Sequence, residues 1–476
     1  MTPAMTSAMT EAAATATDIA SAVRKGRVSA QEIVEATLDR IEHLDGILNA
    51  FTHVDVKRAR NTADSIDARI GAGEDPGPLA GVPFAVKNLF DIEGVATLAG
   101  SKINTAHPPA AADAPLIEKL TAAGAILMGG LNMGEYAYDF TGENCHYGPS
   151  RNPHDPNRMT GGSSGGSGSA TASGMVAFAL GSDTNGSIRV PSSFCGLFGL
   201  KPTFGRLSRA GTFPFCASLD HVGPLARSTA DLALVYDVAQ GHDPRDPVST
   251  DRPPEPASAA VARPHGDLRV SVASGYFQTL ARPEVRAAVE RVAKALKTKQ
   301  AVEIPMVEQA RSAAYVITAT EASALHRNRL RERPMDFDPD VRDRLFAGAL
   351  APAQWYTQAQ RLRSLYRQAF LRLFEDTDII IAPSTPTIAP AIGQQTFVLD
   401  GKEVPVRANI GIFTQPFSFI GLPVVAVPIG CVSDMPVGVQ IIAAPWREED
   451  ALSIAAILER DGIAESRIAE PEAPDA

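Results

Sequence analysis

Cysteine is scarce in this chain of 476 residues, which contains only Cys145, Cys195, Cys216 and Cys431. No two of them form a CxxC pair, so neither a disulfide framework nor a structural zinc site is expected. We interpret each thiol as a small buried hydrophobic side chain. This pattern favours a reducing compartment, and we expect a cytoplasmic protein.

Long apolar runs and an excess of positive charge are also missing. No window of eighteen apolar residues could span a membrane, and no basic segment of the kind that opens a signal peptide precedes Arg24, the first positive charge. Residues 1–25 are therefore predicted to be a flexible leader. The net charge of −10 argues against a large nucleic-acid footprint. Hydrophobic residues at 45% and charged residues at 21% are typical of a soluble globular protein with a sizeable core.

The first half of the chain alternates helical and strand patterns. Ser29 and Glu32 form a capping pattern that predicts an amphipathic helix from 29 to about 45. A short apolar run bounded by glycines predicts a buried strand that ends near Lys87. This alternation favours an α/β fold around a largely buried sheet. The other predictions here are a helix in DAPLIEKLTAAG closed by Gly124, a strand in AILMGGLN, an extended loop over 141–169, a strand over 175–180 and a helix that begins in SIRVPSSF.

The second half contains a proline-rich polar stretch near 241–266, which predicts a surface excursion. Helical patterns follow at 283–298 and 353–375, and strands are predicted in IIIAPSTPTIAP and GLPVVAVPIG. We therefore expect one domain over residues 26–464, followed by a disordered acidic tail over 465–476.

Nine consecutive glycines and serines at 161–169 are the most unusual segment. A flexible linker is unexpected inside a compact chain, and a phosphate-binding loop would need a following lysine that is absent. The segment also contains G-x-S-x-G centred on Ser164, the pattern of a nucleophile elbow. An elbow needs an apolar strand before the serine, where this chain has polar SRNPHDPNRMT, and it needs a later histidine. The histidines that follow are His221, His242, His265 and His326.

A second serine, Ser187, lies in GSDTNGS, between the predicted strand 175–180 and the predicted helix. Asn185 and Gly186 tolerate unusual backbone angles and favour a tight turn before the helix. Free N–H groups at such a helix start can bind an anion, which is what an oxyanion hole requires. Ser187 could otherwise be a simple helix N-cap.

Several motifs together resemble the amidase signature family. They are GVPFAVKNLFDIEG, the GGSSGGS loop, GSDTNGSIRVPSSFCGLFGLKPTFGRLS, GPLARS, IAPSTPTIAP, GLPVVAVP and PVGVQIIAAP, and they occur in the family's order over most of the chain. The resemblance implies the amidase-signature fold, a large mixed, mostly buried β-sheet covered by helices on both faces. It also implies a catalytic set of Ser187 as nucleophile, Ser163 as bridging serine after a cis peptide bond, and Lys87 as base, with no cofactor and no metal.

The chemistry of that set is coherent. A serine hydroxyl must lose its proton as it attacks, and lysine accepts a proton only when burial has lowered its pKa. The resemblance implies that Ser163 relays the proton from Ser187 to Lys87, and that the backbone N–H groups of Thr184, Asn185, Gly186 and Ser187 form the oxyanion hole.

Asn185 departs from the common family pattern, which has Gly-Gly-Ser where this chain has Asn-Gly-Ser. We expect its side chain to orient a second carbonyl or the carboxylate of the substrate, and the alternative is that it only satisfies the turn. Asp183 and Arg189 flank the turn and are interpreted as a structural pair. Arg327, Arg329 and Arg331 are candidate carboxylate ligands, but a solvated helix face explains them more simply.

Within the family, KNLFDIEGVATLAGSKIN, NPHDPNR and KPTFGRLSRAGTFPF are most similar to the branch that deaminates 1-carboxybiuret to urea-1,3-dicarboxylate and ammonia in cyanuric acid breakdown. That branch implies a small urea-like substrate, a homodimer, a small helical partner similar to the amidotransferase C subunit, and neither nucleic acid nor membrane. The A subunit of the glutamyl-tRNA amidotransferase is the alternative, in which case tRNA is involved, and a general amidase is another. A non-catalytic scaffold subunit is a different class, which the presence of all three catalytic residues disfavours.

Overall fold

The structure is a computed structural model that describes residues 9–262 and 268–471. The strands are β1 (Phe51–Val54), β2 (Pro83–Lys87), β3 (Ile126–Leu131), β4 (Arg151–Asn152), β5 (Asp155–Met159), β6 (Phe178–Asp183), β7 (Phe198–Lys201), β8 (His221–Ala226), β9 (Val270–Ala273), β10 (Ala301–Val302), β11 (Ile379–Pro383), β12 (Thr396–Leu399), β13 (Lys402–Pro405), β14 (Val424–Val432) and β15 (Met435–Ala443).

The α-helices are α1 (Ala16–Arg24), α2 (Ala30–Leu48), α3 (Val56–Gly71), α4 (Pro115–Ala122), α5 (Gly165–Ala172), α6 (Arg189–Cys195), α7 (Thr229–Ala239), α8 (Ser258–Val261), α9 (Tyr276–Thr279), α10 (Pro283–Ala295), α11 (Val307–Glu332), α12 (Pro339–Ala349), α13 (Ala353–Leu371), α14 (Val406–Asn409), α15 (Gln415–Ser418) and α16 (Glu448–Arg460). Short 3-10 turns occupy Lys102–Ala106, Glu135–Ala137, Pro334–Asp336, Arg372–Glu375 and Ile410–Phe413.

Eleven strands form one mixed sheet in the order β1-β3-β2-β6-β8-β7-β14-β15-β11-β9-β10. The trio β3, β2 and β6 is parallel, β8, β7, β14 and β15 continue antiparallel, and β11, β9 and β10 are parallel to one another. Every residue of β2, β6, β8 and β15 is buried, so both faces of the sheet centre are covered. The predicted α/β fold with a large mixed, buried sheet is confirmed.

Local signals in the sequence explain several of these elements. Ser29 caps α2, and its side chain accepts from the backbone N–H of Glu32 while the Glu32 carboxylate accepts from the Ser29 N–H at 2.8 Å. This reciprocal pair is the predicted capping box, and it fixes the start of the helix. In the described part of the chain, no helix has the length and apolar character needed to cross a membrane.

The prediction of an extended loop over 141–169 is wrong. Strands β4 and β5 form a hairpin there, and α5 is a completely buried helix that begins within the glycine–serine run. Small residues are required because neighbouring chain lies against them: a Cβ on Gly166 would meet the carbonyl oxygen of Ala50 at 2.4 Å. The hydroxyls of Ser167 and Ser169 do not compete with the backbone hydrogen bonds of the helix. They donate to carbonyls outside the helix, Ser167 to that of Leu180 and Ser169 to that of Arg151.

The prediction of a flexible leader over 1–25 is wrong for α1. Thr15 caps this helix, Ile19 and Val23 are buried, and Asp231 accepts hydrogen bonds from the backbone of its first residues. Its apolar side chains recur at helical spacing and therefore dock on the domain. Residues 1–8 lie outside the described residues.

The predicted tail and excursion are described in part. Ala469 is buried and its N–H donates to the carbonyl of Ala172, which ties this part of the tail to the domain, while residues 472–476 lie outside the described range. The proline-rich stretch runs without helix or strand from 241 to 257, and residues 263–267 are outside the described range as well.

All four cysteines carry free thiols. Cys195 and Cys216 are buried as predicted, whereas Cys145 and Cys431 are exposed, so the expectation of burial is wrong for these two. Cys431 lies near the end of β14, where that strand leaves the buried part of the sheet.

Candidate active site

Lys87 is the last residue of β2 and is completely buried. Its Nζ lies 2.6 Å from Ser163 Oγ and 2.9 Å from Ser182 Oγ. Burial lowers the pKa of Lys87 from 10.5 to about 7, although the nearby carboxylates, Asp183 first among them, act in the opposite direction. The lysine side chain is therefore an amine that loses its charge near neutral pH, as a general base requires.

Ser163 lies just before α5, and the peptide bond between Gly162 and Ser163 is cis. The Ser163 carbonyl accepts a hydrogen bond from the N–H of Gly134 at 3.1 Å, which fixes the backbone opposite Lys87. A Cβ on Gly162 would lie 2.4 Å from an Asp139 carboxylate oxygen, so the tight packing at this position requires glycine.

The turn Thr184–Ser187 connects β6 to α6. In the described chain none of its four backbone N–H groups donates to a protein acceptor, and Ser187 Oγ forms no hydrogen bond either. Gly186 has φ +145° with Thr414 Oγ1 packed against it, and that hydroxyl donates to the Asn185 carbonyl at 2.7 Å. The turn thus presents several free donors beside the Ser187 hydroxyl, which is the arrangement that stabilises a developing oxyanion.

Asp183 and Arg189 brace both ends of this turn. Both side chains are inaccessible to solvent, and Arg189 Nε and Nη2 each donate to an Asp183 carboxylate oxygen at 2.9 Å. Burial alone would raise the pKa of Asp183, but the guanidinium of Arg189 lowers it, so that this pKa lies below its usual range. Arg189 Nη1 also donates to the Thr414 carbonyl and to Gln440. The prediction that Asp183 and Arg189 are a structural pair is confirmed.

Ser187 lines a narrow cavity whose water-accessible volume is about 20 Å³. Asn185 and Thr318 face each other across one wall, and Asn185 Nδ2 donates to Thr318 Oγ1 at 3.1 Å. The full lining is Ala137, Tyr138, Asp139, Phe140, Thr184, Asn185, Ser187, Phe215, Tyr315, Thr318, Arg344 and Gln415.

Arg344 is the one cation among these lining residues. Its Nε and Nη1 donate to the backbone carbonyls of Asp340 and Tyr138, and its guanidinium lies 4.7 Å from the centre of the Tyr138 ring. Arg344 forms no ion pair with any carboxylate of the described chain. Asp139, the one lining carboxylate, is neutralised separately by Arg407 at 3.0 Å. An unpaired guanidinium at a cavity wall is suited to a carboxylate ligand.

The sequence does not indicate Arg344. The arginines that it offers as carboxylate ligands, Arg327, Arg329 and Arg331, are not among the lining residues. Arg327 and Arg331 are exposed, and Arg329 stacks on Tyr136 and Phe213. Arg344 lies further along the chain on α12, within the pattern DVRDRL, which carries no signal that distinguishes it from a surface helix.

The nucleophile-elbow interpretation of Ser164 finds no support. Ser164 Oγ donates to the Ser182 carbonyl at 3.2 Å and accepts from the Ser182 N–H at 3.3 Å, so the hydroxyl holds backbone in place. None of the described histidines His221, His242 and His326 hydrogen-bonds to Ser164, and His265 lies outside the described residues.

The structure brings part of the predicted catalytic set into direct contact. Lys87 and Ser163 are hydrogen-bonded, and Ser182, five residues before Ser187, contacts the same lysine. No hydrogen bond joins Ser163 to Ser187 in the part of the chain described.

The large buried sheet and the buried Lys87, hydrogen-bonded to Ser163, are features that the comparison with known families can be set against. The chain belongs to the Amidase family, whose model matches residues 32–452. The resemblance to the amidase signature family is therefore confirmed, and the chain is an amidase-family hydrolase.

Three relatives place the chain within this family. It is 53% identical over 449 residues to AtzE, a component of the 1-carboxybiuret hydrolase of Pseudomonas sp. (strain ADP), and the match covers 94% of this chain and 98% of that protein. It is 37% identical to the A subunit of the glutamyl-tRNA(Gln) amidotransferase of Chromohalobacter salexigens, over 93% of this chain and 95% of that protein. A solved structure, described as a vestigial protein complex that reveals the evolutionary origins of an s-triazine catabolic enzyme, superposes with a TM-score of 0.94 at 52% identity, covering 95% of this chain and 100% of that one.

Proposed function

We propose that this amidase hydrolyses the terminal amide of 1-carboxybiuret, releasing ammonia and urea-1,3-dicarboxylate. The observation that carries the proposal is the unpaired Arg344 guanidinium in the same cavity as Ser187. A neutral amide substrate has no group that would form an ion pair with this guanidinium. A carboxylated urea presents a carboxylate, which can form that ion pair. The 53% identity to a component of a 1-carboxybiuret hydrolase supports the same substrate.

Acylation would begin with attack of Ser187 Oγ on the terminal carbonyl carbon. The serine proton passes through Ser163 to the neutral amine of Lys87, which lies 2.6 Å from Ser163 Oγ. The N–H groups of the turn Thr184–Ser187 stabilise the oxyanion. When the tetrahedral intermediate collapses, the C–N bond breaks and the leaving nitrogen takes the proton back, so that ammonia departs.

Deacylation repeats these steps with water. A water molecule loses a proton through Ser163 to Lys87, attacks the acyl carbon, and the Ser187–acyl bond breaks as the proton returns to Ser187 Oγ. The product carries a second carboxylate, so one water is consumed and one ammonia released per turnover. For this cycle Ser163 must also contact Ser187, and substrate binding would close that contact, because catalytic hydrogen bonds often tighten only in the substrate complex.

A partner protein is the second part of the proposal. Four of the large apolar side chains that are most exposed, Met335, Leu350, Trp355 and Leu365, lie in or between α11, α12 and α13, and the solved structure with a TM-score of 0.94 is described as a protein complex. We infer that a small helical protein similar to the amidotransferase C subunit binds this chain, and that the resulting complex is cytoplasmic with a homodimeric core. Exposed apolar side chains of this size favour an interface over solvent.

The experiment is an ammonia-release assay on the purified chain, alone and after co-expression with the products of its neighbouring genes. The substrates are 1-carboxybiuret, biuret, allophanate and glutamine. We expect 1-carboxybiuret to have the highest kcat/KM. A preference for glutamine would identify an amidotransferase component instead, equal rates on all four would identify a general amidase, and no ammonia from any of them would identify a scaffold protein. Full activity of the chain alone would contradict an obligatory partner.

A further inference from the structure

The side-chain amide of Asn185 has a hydrogen-bond partner at its nitrogen and, among the described residues, none at its oxygen. Its Nδ2 donates to Thr318 Oγ1 at 3.1 Å, which fixes the rotation of the amide. Its Oδ1 is buried and has no hydrogen-bond partner in the described chain. Asn185 is 7% exposed and Thr318 is 1% exposed, so bulk water does not serve the free oxygen. A buried acceptor without a partner is unfavourable, and its presence needs an explanation.

Thr318 supplies the complementary group. Its hydroxyl oxygen accepts from Asn185, and its own proton finds no acceptor among the described residues, unlike that of Thr320 on the same helix, which donates to the Val316 carbonyl at 2.7 Å. Both Asn185 and Thr318 line the cavity that holds Ser187. The pair therefore offers a ligand one acceptor and one donor side by side.

We propose that the Asn185–Thr318 pair determines specificity by binding one N–H and C=O edge of a ureide. Asn185 Oδ1 accepts the substrate N–H next to the scissile carbonyl, and Thr318 Oγ1 donates to the following carbonyl. This inference rests on the proposed function, since it assigns the ureide part of the substrate to these residues and the carboxylate to Arg344.

The assignment changes the expectation drawn from the sequence. A role for Asn185 in orienting a second carbonyl or the carboxylate requires a donor. Thr318 accepts one of the two Nδ2 protons, whereas Oδ1 is the buried atom of this amide without any partner, so the group that a substrate must satisfy is an acceptor, and an acceptor repels a carboxylate. The ligand class is therefore an N–H-bearing urea, and an amide with a methylene group at that position is disfavoured because Oδ1 would stay unpaired.

Biuret and malonamide test this directly, because they differ only in an N–H or a CH2 group between two carbamoyl groups. Binding is measured by titration calorimetry with the full chain carrying Ser187→Ala, so that no turnover interferes. We expect biuret to bind about tenfold more tightly than malonamide, the effect of one well-placed hydrogen bond. Asn185→Leu and Thr318→Val should each abolish this preference.

Two further variants separate recognition from structure. Thr318→Ser keeps the hydroxyl and should keep the preference for biuret, and Thr320→Val, on the same helix, should leave it unchanged. Equal affinities of the two ligands for the parent protein, no measurable binding of biuret, or a preference that survives Thr318→Val would overturn the proposal. These affinities do not depend on turnover, so they test the ureide preference alone. The proposed function is tested separately, and it fails if the chain with Ser187 intact does not hydrolyse 1-carboxybiuret.

Discussion

Lys87 Nζ lies 2.6 Å from Ser163 Oγ, although the lysine is the last residue of a sheet strand and the serine is 76 residues further along the chain. Ser182 holds the same nitrogen from the neighbouring strand at 2.9 Å. The amine is therefore fixed between two hydroxyls in a site closed to solvent. A neutral lysine in that position donates to one hydroxyl while its lone pair accepts the proton of the other.

The pH dependence of catalysis follows from this site. Because burial lowers the pKa of Lys87 to about 7, the amine is protonated and inactive as a base below that pH and neutral above it. We expect kcat/KM to rise with pH through about 7 and then to level off.

Lys87→Ala should lower the acylation rate about 10²–10⁴-fold, the usual contribution of one positioned base. Lys102→Ala, at an exposed lysine paired with Asp336, is the matched control and should leave the rate unchanged. A rate-limiting chemical step with no pH dependence between about pH 5.5 and 9 would contradict Lys87 as the base.

Gly186→Ala tests the turn that carries the free N–H groups. Gly186 has φ +145°, and an added Cβ would lie 2.1 Å from Thr414 Oγ1, so the turn must shift away from its present position. We expect kcat to fall about 10²-fold, as when one oxyanion donor is lost. Gly26→Ala is the control, since Gly26 also has positive φ but has open space around it. If both variants lose activity equally, the turn geometry is not what matters.

Arg344 should determine affinity for the carboxylated substrate. Arg344→Gln removes the one cation among the cavity-lining residues, and we expect KM for 1-carboxybiuret to rise about 10–100-fold, the loss of a charge-assisted hydrogen bond. The KM for uncharged biuret should change little. Arg342→Gln, two residues away beside Asp343, should affect neither substrate. Parallel losses on both substrates after Arg344→Gln would indicate a structural role.

The Asp183–Arg189 pair should dominate the stability of the site. Arg189→Met leaves the Asp183 carboxylate buried without its partner, and we expect the free energy of unfolding to fall by about 3–5 kcal/mol. Glu118→Gln breaks the exposed pair with Arg245 and should cost less than about 1 kcal/mol. Denaturant unfolding measures both, and similar values for the two variants would refute the bracing role.

The sequence predicts the parts of the site that depend on neighbouring residues. Lys87 at the end of an apolar run and Ser187 on an asparagine–glycine turn carry local signals for a strand end and a tight turn. The helical character of residues 165–172 has no such signal, because glycine and serine are poor helix formers and only tertiary contacts, such as that of Gly166 with the Ala50 carbonyl, explain their presence.

Residues brought together from distant parts of the chain could not be predicted. Thr318 meets Asn185 across 133 residues, and Arg344 reaches the cavity from a helix whose sequence is typical of a solvated surface. Residues 1–25 were predicted to be flexible for the same reason. Ile19 and Val23 have helical spacing, but a short helix is stable only when it packs against the rest of the protein. Here Asp231 accepts a hydrogen bond from the N–H of Ala16, which lies 215 residues away in the sequence.

The most direct test of the catalytic assignment is the site of covalent modification by a fluorophosphonate, mapped by mass spectrometry of the labelled peptides. Attack by Ser187 predicts a single adduct on Ser187, and neither an adduct nor ammonia release in Ser187→Ala. The adduct on Ser187 should also form in Ser164→Ala, because the Ser164 hydroxyl only hydrogen-bonds to the Ser182 backbone. Circular dichroism and thermal unfolding should show that Ser187→Ala remains folded. An adduct on Ser164, or ammonia release that survives Ser187→Ala, would contradict the account.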